Sequence, residues 1–111
     1  MLDLRPQVFG SVVRTKVLTA IGALEETYAT ELARALEVPL RSVQRIVEAL
    51  ETDGIVATRL VGNQRRIALN PRWLGAAELR ALLDRLMLAD ADLQRRLGAL
   101  RRRPRRKGKP L

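Results

Sequence analysis

Four residues in one short stretch, Arg41, Ser42, Gln44 and Arg45, carry the kinds of donor that bond to nucleic-acid bases and phosphates. An arginine guanidinium is a planar fork that fits guanine or a phosphate, a glutamine amide fits adenine, and a serine hydroxyl serves either. Most other chemistry is missing. With no cysteine and no histidine in 111 residues there is no thiolate, no imidazole base and no usual transition-metal ligand. The sequence contains no Gly-rich phosphate loop with its lysine, no paired-carboxylate motif and no nucleophile–base pair, and its two serines are Ser11 and Ser42. Binding rather than catalysis is the expectation, with no metal and no cofactor.

The net charge of +9 is unevenly spread. Arg101 to Leu111 holds seven basic residues and no acid, which leaves fourteen basic against twelve acidic residues, or +2, for Met1 to Leu100. That tail, with Arg101, Arg102 and Arg103 at its start, lacks the apolar side chains that could offset the entropy of ordering it, so it is expected to be disordered when free and to attract phosphates without sequence preference. The longest charge-free stretches, Pro6 to Val13 and Val17 to Leu24, have eight residues each, against the roughly 20 needed to span a bilayer. The first ten residues lack a basic start followed by an apolar run. A cytoplasmic protein with no membrane partner is expected.

The elements that must position the four donors follow from periodicity. Val13, Val17, Ile21 and Leu24 form the stripe of a helix over Ser11 to Leu24, with Ser11 as N-cap. Thr27-Tyr28 suits a short extended piece, and Glu31 to Leu36 a short second helix capped by Thr30. Val38-Pro39 stops and restarts the chain, since the residue before proline is pushed out of the helical region. From Leu40 to Thr52 the stripe is cleanest: Val43, Ile46, Val47 and Leu50 share one side and leave Arg41, Ser42, Gln44 and Arg45 on the other. Asp53-Gly54 closes this third helix. Ile55 to Val61 and Arg65 to Leu69 are β-prone runs around Gly62-Asn63-Gln64, and Asn70-Pro71 ends the second of them.

The expected fold class is therefore mainly α with a small β-hairpin: a winged helix-turn-helix over residues 1–75, a C-terminal helical segment over 76–100 and the basic tail over 101–111. In that arrangement the second helix of the pair enters the major groove and the hairpin lies against the backbone. The hairpin arginines Arg59, Arg65 and Arg66 become candidates for phosphate or minor-groove contact, although arginines on an edge strand also deter aggregation.

Phe9-Gly10-Ser11, Glu31 to Leu36, Ser42-Val43-Gln44-Arg45, Leu50-Glu51 with Asp53-Gly54-Ile55-Val56, and Gly62-Asn63 followed by Arg65-Arg66 together resemble the ArsR/MarR-type winged-helix transcriptional regulators. The likeness runs from about Phe9 to Pro71. It implies double-stranded DNA binding by a homodimer, with Leu40 to Thr52 as recognition helix and Val61 to Arg66 as wing. Two features depart from the family pattern. Glu37 stands where a glycine usually leaves the first helix of the pair, and the cysteine and histidine ligands of the metal-sensing members are absent.

After Trp73, which is expected to anchor in the core, Ala76 to Leu100 reads as helix, either continuous or broken at Ala89 to Asp92. Leu79, Leu86, Leu93 and Leu100 recur every seventh residue, with Leu82, Leu83 and Leu97 beside them, a seam suited to helix pairing. A continuous helix of that length would extend ~38 Å, more than a small domain needs for its own core. A homodimer through these leucines is one expectation, packing onto the first helix the other. Three functions compete: a DNA-binding regulator, most simply a repressor; an interaction module in a larger complex, with the basic tail binding nucleic acid non-specifically; and RNA binding, which the scarcity of aromatics (Phe9, Tyr28, Trp73) argues against.

Overall fold

The computed structural model describes residues 8–101. Five helices and one antiparallel hairpin follow in the order α1 (Val12–Leu24), α2 (Ala29–Leu36), α3 (Leu40–Thr52), β1 (Val56–Val61), β2 (Gln64–Leu69), α4 (Ala76–Leu88) and α5 (Ala91–Arg101). The chain is thus mainly helical with a small hairpin. None of the described helices is long and apolar enough to cross a membrane.

α1 is the hub. It starts where Ser11 Oγ accepts the Arg14 N–H at 3.0 Å, satisfying a first-turn donor. Val17, Leu18, Ala20 and Ile21 are fully buried, and Thr19 is tolerated among them because its hydroxyl donates to the Thr15 carbonyl at 2.7 Å. The other four helices and β2 all pack on α1. At Gly22 a Cβ would come within 3.1 Å of Leu83, so the absent side chain is what lets α4 approach α1 closely.

The extended piece at Thr27 forms an isolated antiparallel bridge to the hairpin. Its N–H and carbonyl exchange bonds of 2.9 and 2.7 Å with Ile67 of β2. Because the backbone is pinned there, and the Thr27 hydroxyl donates to Glu31 at 2.8 Å, α2 begins at once. It starts at Ala29 with Tyr28 as its N-cap residue, so Thr30 lies inside the first turn and is not the cap. Glu37 then adopts the left-handed conformation at φ 57°, ψ 47°, with its N–H bonded to the Ala33 carbonyl. A side chain there costs about 1 to 2 kcal/mol that glycine would not.

Pro39 takes the N-cap place of α3, its carbonyl accepting the Ser42 and Val43 N–H groups. Val43, Val47 and Leu50 are buried and Ile46 packs beside them, which fixes the rotation of the helix. β1 and β2 pair from Val56 with Leu69 to Val61 with Gln64, leaving only Gly62 and Asn63 in the turn. Gln64 belongs to β2, and Gly62 at φ 64° takes the first turn position, where two-residue hairpins of one common type need glycine.

The C-terminal segment is two helices. The Asp90 carboxylate makes the break, one oxygen accepting the Leu93 N–H at 3.0 Å to cap α5 and the other accepting Lys16 Nζ of α1 at 2.8 Å. Gln94 meanwhile donates to the Met87 and Leu88 carbonyls that end α4. Of the leucines expected to form a dimer seam, Leu79, Leu83, Leu93, Leu97 and Leu100 are buried in the chain's own core, and Leu86 is half-buried against it. Leu82 sits at the edge, 38 % exposed. Among the described residues no helix of ~38 Å is formed, and packing on α1 and α2 accounts for the buried leucines of the repeat without a second copy. Trp73 is half-buried and packs against the core.

Candidate nucleic-acid interface

α3 presents its outer side because its apolar stripe is fully used. Arg41, Gln44 and Arg45 are exposed, and none of the three side chains has a hydrogen-bond or ion-pair partner among the described residues. Ser42 is only half-buried, turned to the flank of the helix away from Gln44. The donors therefore lie on the N-terminal half of α3, where the helix dipole also favours an anion. Its C-terminal half is different: Glu48 and Glu51 are exposed and offset the two arginines, so the outer side of α3 as a whole carries no net charge.

Between α3, the start of α2 and the hairpin runs a cleft made of two adjoining concavities of about 560 Å³ each, which share Ala29, Gln44 and Arg65. The deeper part is floored by Val47 and Ile67 and edged by Glu48 and Glu51; the outer part is walled by Tyr28, Thr30, Asn63 and Gln64. Strand alternation puts Arg65 on the same side of β2 as Ile67, facing α3. There Arg65 donates to the Thr58 hydroxyl at 3.0 Å, and Thr58 donates onward to Glu51 at 2.7 Å. Arg65 thus joins Gln44 across the cleft. Tyr28, Thr30 and Gln64 were not evident as site residues from sequence. Their signal is long-range, since it is the Thr27–Ile67 bridge that carries the start of α2 to the hairpin.

Arg59 and Arg66 fall on the other face of the hairpin, directly opposite each other in the register. Two like charges at that spacing repel. Glu26 resolves the repulsion: one carboxylate oxygen is 2.8 Å from Arg59 and the other 3.6 Å from Arg66. The Arg66 Nε is buried with no hydrogen-bond partner among the described residues. The structure therefore brings Arg65 to the α3 donors and holds Arg59 and Arg66 apart from them. Arg101 is the last residue of α5, while Arg102 and Arg103 lie outside the described residues.

Another tied arginine lies behind the α2–α3 turn. Arg96 of α5 bonds Asp92 at 2.8 Å through Nε and donates to the Ala35 carbonyl at 3.2 Å, with Glu37 at 3.5 Å. The bond from Arg96 holds the Asp92 carboxyl below its ordinary pKa, helped by the charges of Arg96, Arg95 and Lys16. In the other direction the Asp92 bond raises Arg96. This network fixes α5 against the turn and offers no donor to the cleft.

Comparison with protein-family models, curated proteins and solved structures finds no match.

Proposed function

We propose that the chain binds double-stranded DNA with sequence preference through the N-terminal half of α3, as a winged helix-turn-helix transcriptional regulator. The observation that carries this reading is the set of three unpartnered donors, Arg41, Gln44 and Arg45, on a helix whose opposite side is locked in the core. Donors with no partner among the described residues are not committed there, and their rigid mounting on the helix lowers the entropic cost of meeting base edges. The hairpin stands beside α3 as a wing, with Arg65 the arginine turned toward the same duplex. Repression by occupying a promoter is the simplest outcome of such binding.

The interaction-module reading has its own support, namely the zero net charge along the outer side of α3 and the engagement of Arg59 and Arg66 by Glu26. In that reading the described domain binds protein, and nucleic acid is held only by the basic C-terminal residues. Selection from a random duplex library, followed by footprinting, separates the two. A short protected motif whose preference survives deletion of Arg101 to Leu111 supports the regulator, with a flatter salt dependence because fewer counterions are released. Loss of all duplex binding on that deletion supports the module.

A further inference from the structure

Glu51 carries the wrong charge for a helix that meets a phosphate backbone, and it is exposed on α3. Its carboxylate is nevertheless engaged. The Thr58 hydroxyl of β1 donates to Glu51 Oε2 at 2.7 Å and accepts from Arg65 Nη1 of β2 at 3.0 Å. Three residues from three elements thus form one chain of hydrogen bonds at the edge of the cleft. The register permits it: Thr58 pairs with Ile67, which makes Arg65 its diagonal neighbour on the side of the hairpin turned to α3.

A hydroxyl has one proton to give and two lone pairs with which to accept. The carboxylate takes that proton in a charge-assisted bond, which turns the lone pairs of Thr58 toward the guanidinium. Glu51 therefore sets the direction of the hydroxyl, and the hydroxyl sets Arg65. Among the described residues only one of the five N–H donors of Arg65 is used in this way, and no direct ion pair joins it to Glu51. Arg59, bonded straight to the carboxylate of Glu26, is held by its charge instead.

We infer that Thr58 and Glu51 are positioning residues for Arg65: they hold its guanidinium on the α3 side of the hairpin, oriented but still able to donate to a phosphate oxygen of the duplex backbone. The inference rests on the reading of α3 and the hairpin as a duplex-binding face, and adds which residues ready the hairpin arginine for contact. Orientation before contact lowers the entropy that a long side chain loses on binding. An acid on α3 then strengthens phosphate contact, the opposite of what its charge alone would do.

Fluorescence anisotropy of the full chain at physiological salt, with a duplex carrying the motif recovered from the random library, tests this. Arg65→Ala is expected to weaken binding about fivefold and to lower the salt slope by about one, as loss of a phosphate contact should. Thr58→Val, which keeps the shape and removes the hydroxyl, should weaken it about threefold, and Thr58→Ser should recover most of that loss. In the Arg65→Ala background Thr58→Val should add nothing. Glu51→Ala should weaken binding about twofold, whereas Glu51→Gln, which still accepts the Thr58 proton, should not. A purely electrostatic Glu51 would instead make both variants bind tighter. NMR relaxation of the Arg65 Nε–Hε group in the DNA-free chain should show a more mobile guanidinium in Thr58→Val than in the parent, and melting temperatures check that each variant folds. Equal mobility, a Thr58→Val loss that persists without Arg65, or tighter binding by both Glu51 variants would each overturn the proposal. Should that happen while Arg41→Ala still weakens binding, the duplex-binding reading stands; if Arg41→Ala and Arg65→Ala are both silent, that reading falls with it.

Discussion

Arg41 and Arg45 on α3 and Arg59 and Arg66 on the hairpin are the same residue type on neighbouring exposed surfaces, yet their circumstances are opposite. The first pair has no partner among the described residues; the second shares the carboxylate of Glu26. The difference arises from one backbone bridge. Thr27 pairs with Ile67, so the residue before Thr27 is delivered to the face of the hairpin where Arg59 and Arg66 stand side by side. No comparable bridge among the described residues reaches the outer side of α3. Formal charge is therefore a poor guide to binding here, and the availability of each guanidinium is what separates a candidate contact from a structural one.

The sharpest way to break this contrast is to truncate both sets. Arg41→Ala and Arg45→Ala are each expected to lower duplex affinity by about 1 to 3 kcal/mol by fluorescence anisotropy, with an unchanged melting temperature because neither holds anything in place. Arg59→Ala with Arg66→Ala should do the reverse, leaving sequence preference intact and lowering stability slightly. Equal losses of affinity from the two pairs would erase the distinction.

A committed, partly buried cation extends the comparison. Lys16 is held by Asp90, which also caps α5, so Asp90→Ala removes an ion pair and a cap together. Thermal or urea unfolding should register a loss of about 1 to 2 kcal/mol, most of it from the cap. Asp90→Asn, which can still cap, should recover most of the loss.

Smaller still is the effect of releasing the hairpin pair. Glu26→Gln removes the charge that holds Arg59 and Arg66, and the partly exposed ion pairs it breaks are worth less than about 1 kcal/mol. Non-specific duplex affinity should rise a few-fold, and the salt slope should steepen by about one to two charges. An unaltered slope would mean that the two arginines stay away from DNA even when free.

Asp92 gives the gentlest test. Its carboxyl is held below the ordinary value in the folded chain, chiefly by the bond from Arg96, so the stabilisation is present above the ordinary carboxylate pKa and is lost as pH falls through the lowered one. Asp92→Asn should therefore flatten the acid limb of the stability curve while leaving neutral DNA binding unchanged. Urea melts across the acid range would show no difference between variant and parent if Arg96 were not engaged.

Much of the frame was legible because its signals are local. α3 runs from Leu40 to Thr52 as expected, since Pro39 and Gly54 bracket a clean stripe of Val43, Ile46, Val47 and Leu50. Ser11 announced α1, and the Gly62-Asn63 turn announced the hairpin. What escaped was set by partners distant in sequence. Thr30 looked like a cap because nothing local shows that Thr27 is pinned to Ile67. The role of Glu26 needs the same bridge, and the break before α5 needs Lys16, 74 residues earlier. The leucine seam misled for a different reason: a seven-residue repeat fits a helix packed on its own domain as well as one packed on a second copy. At Glu37, where the resemblance led to the expectation of glycine, the chain adopts the left-handed conformation with a side chain present.

Amide chemical shifts recorded while the full chain is titrated with a selected duplex at physiological salt test the central claim most directly. Binding through the N-terminal half of α3 predicts the largest changes at Arg41, Gln44 and Arg45, with Arg65 across the cleft following and α4 unmoved. Changes confined to residues after Arg101, with α3 silent, would contradict it.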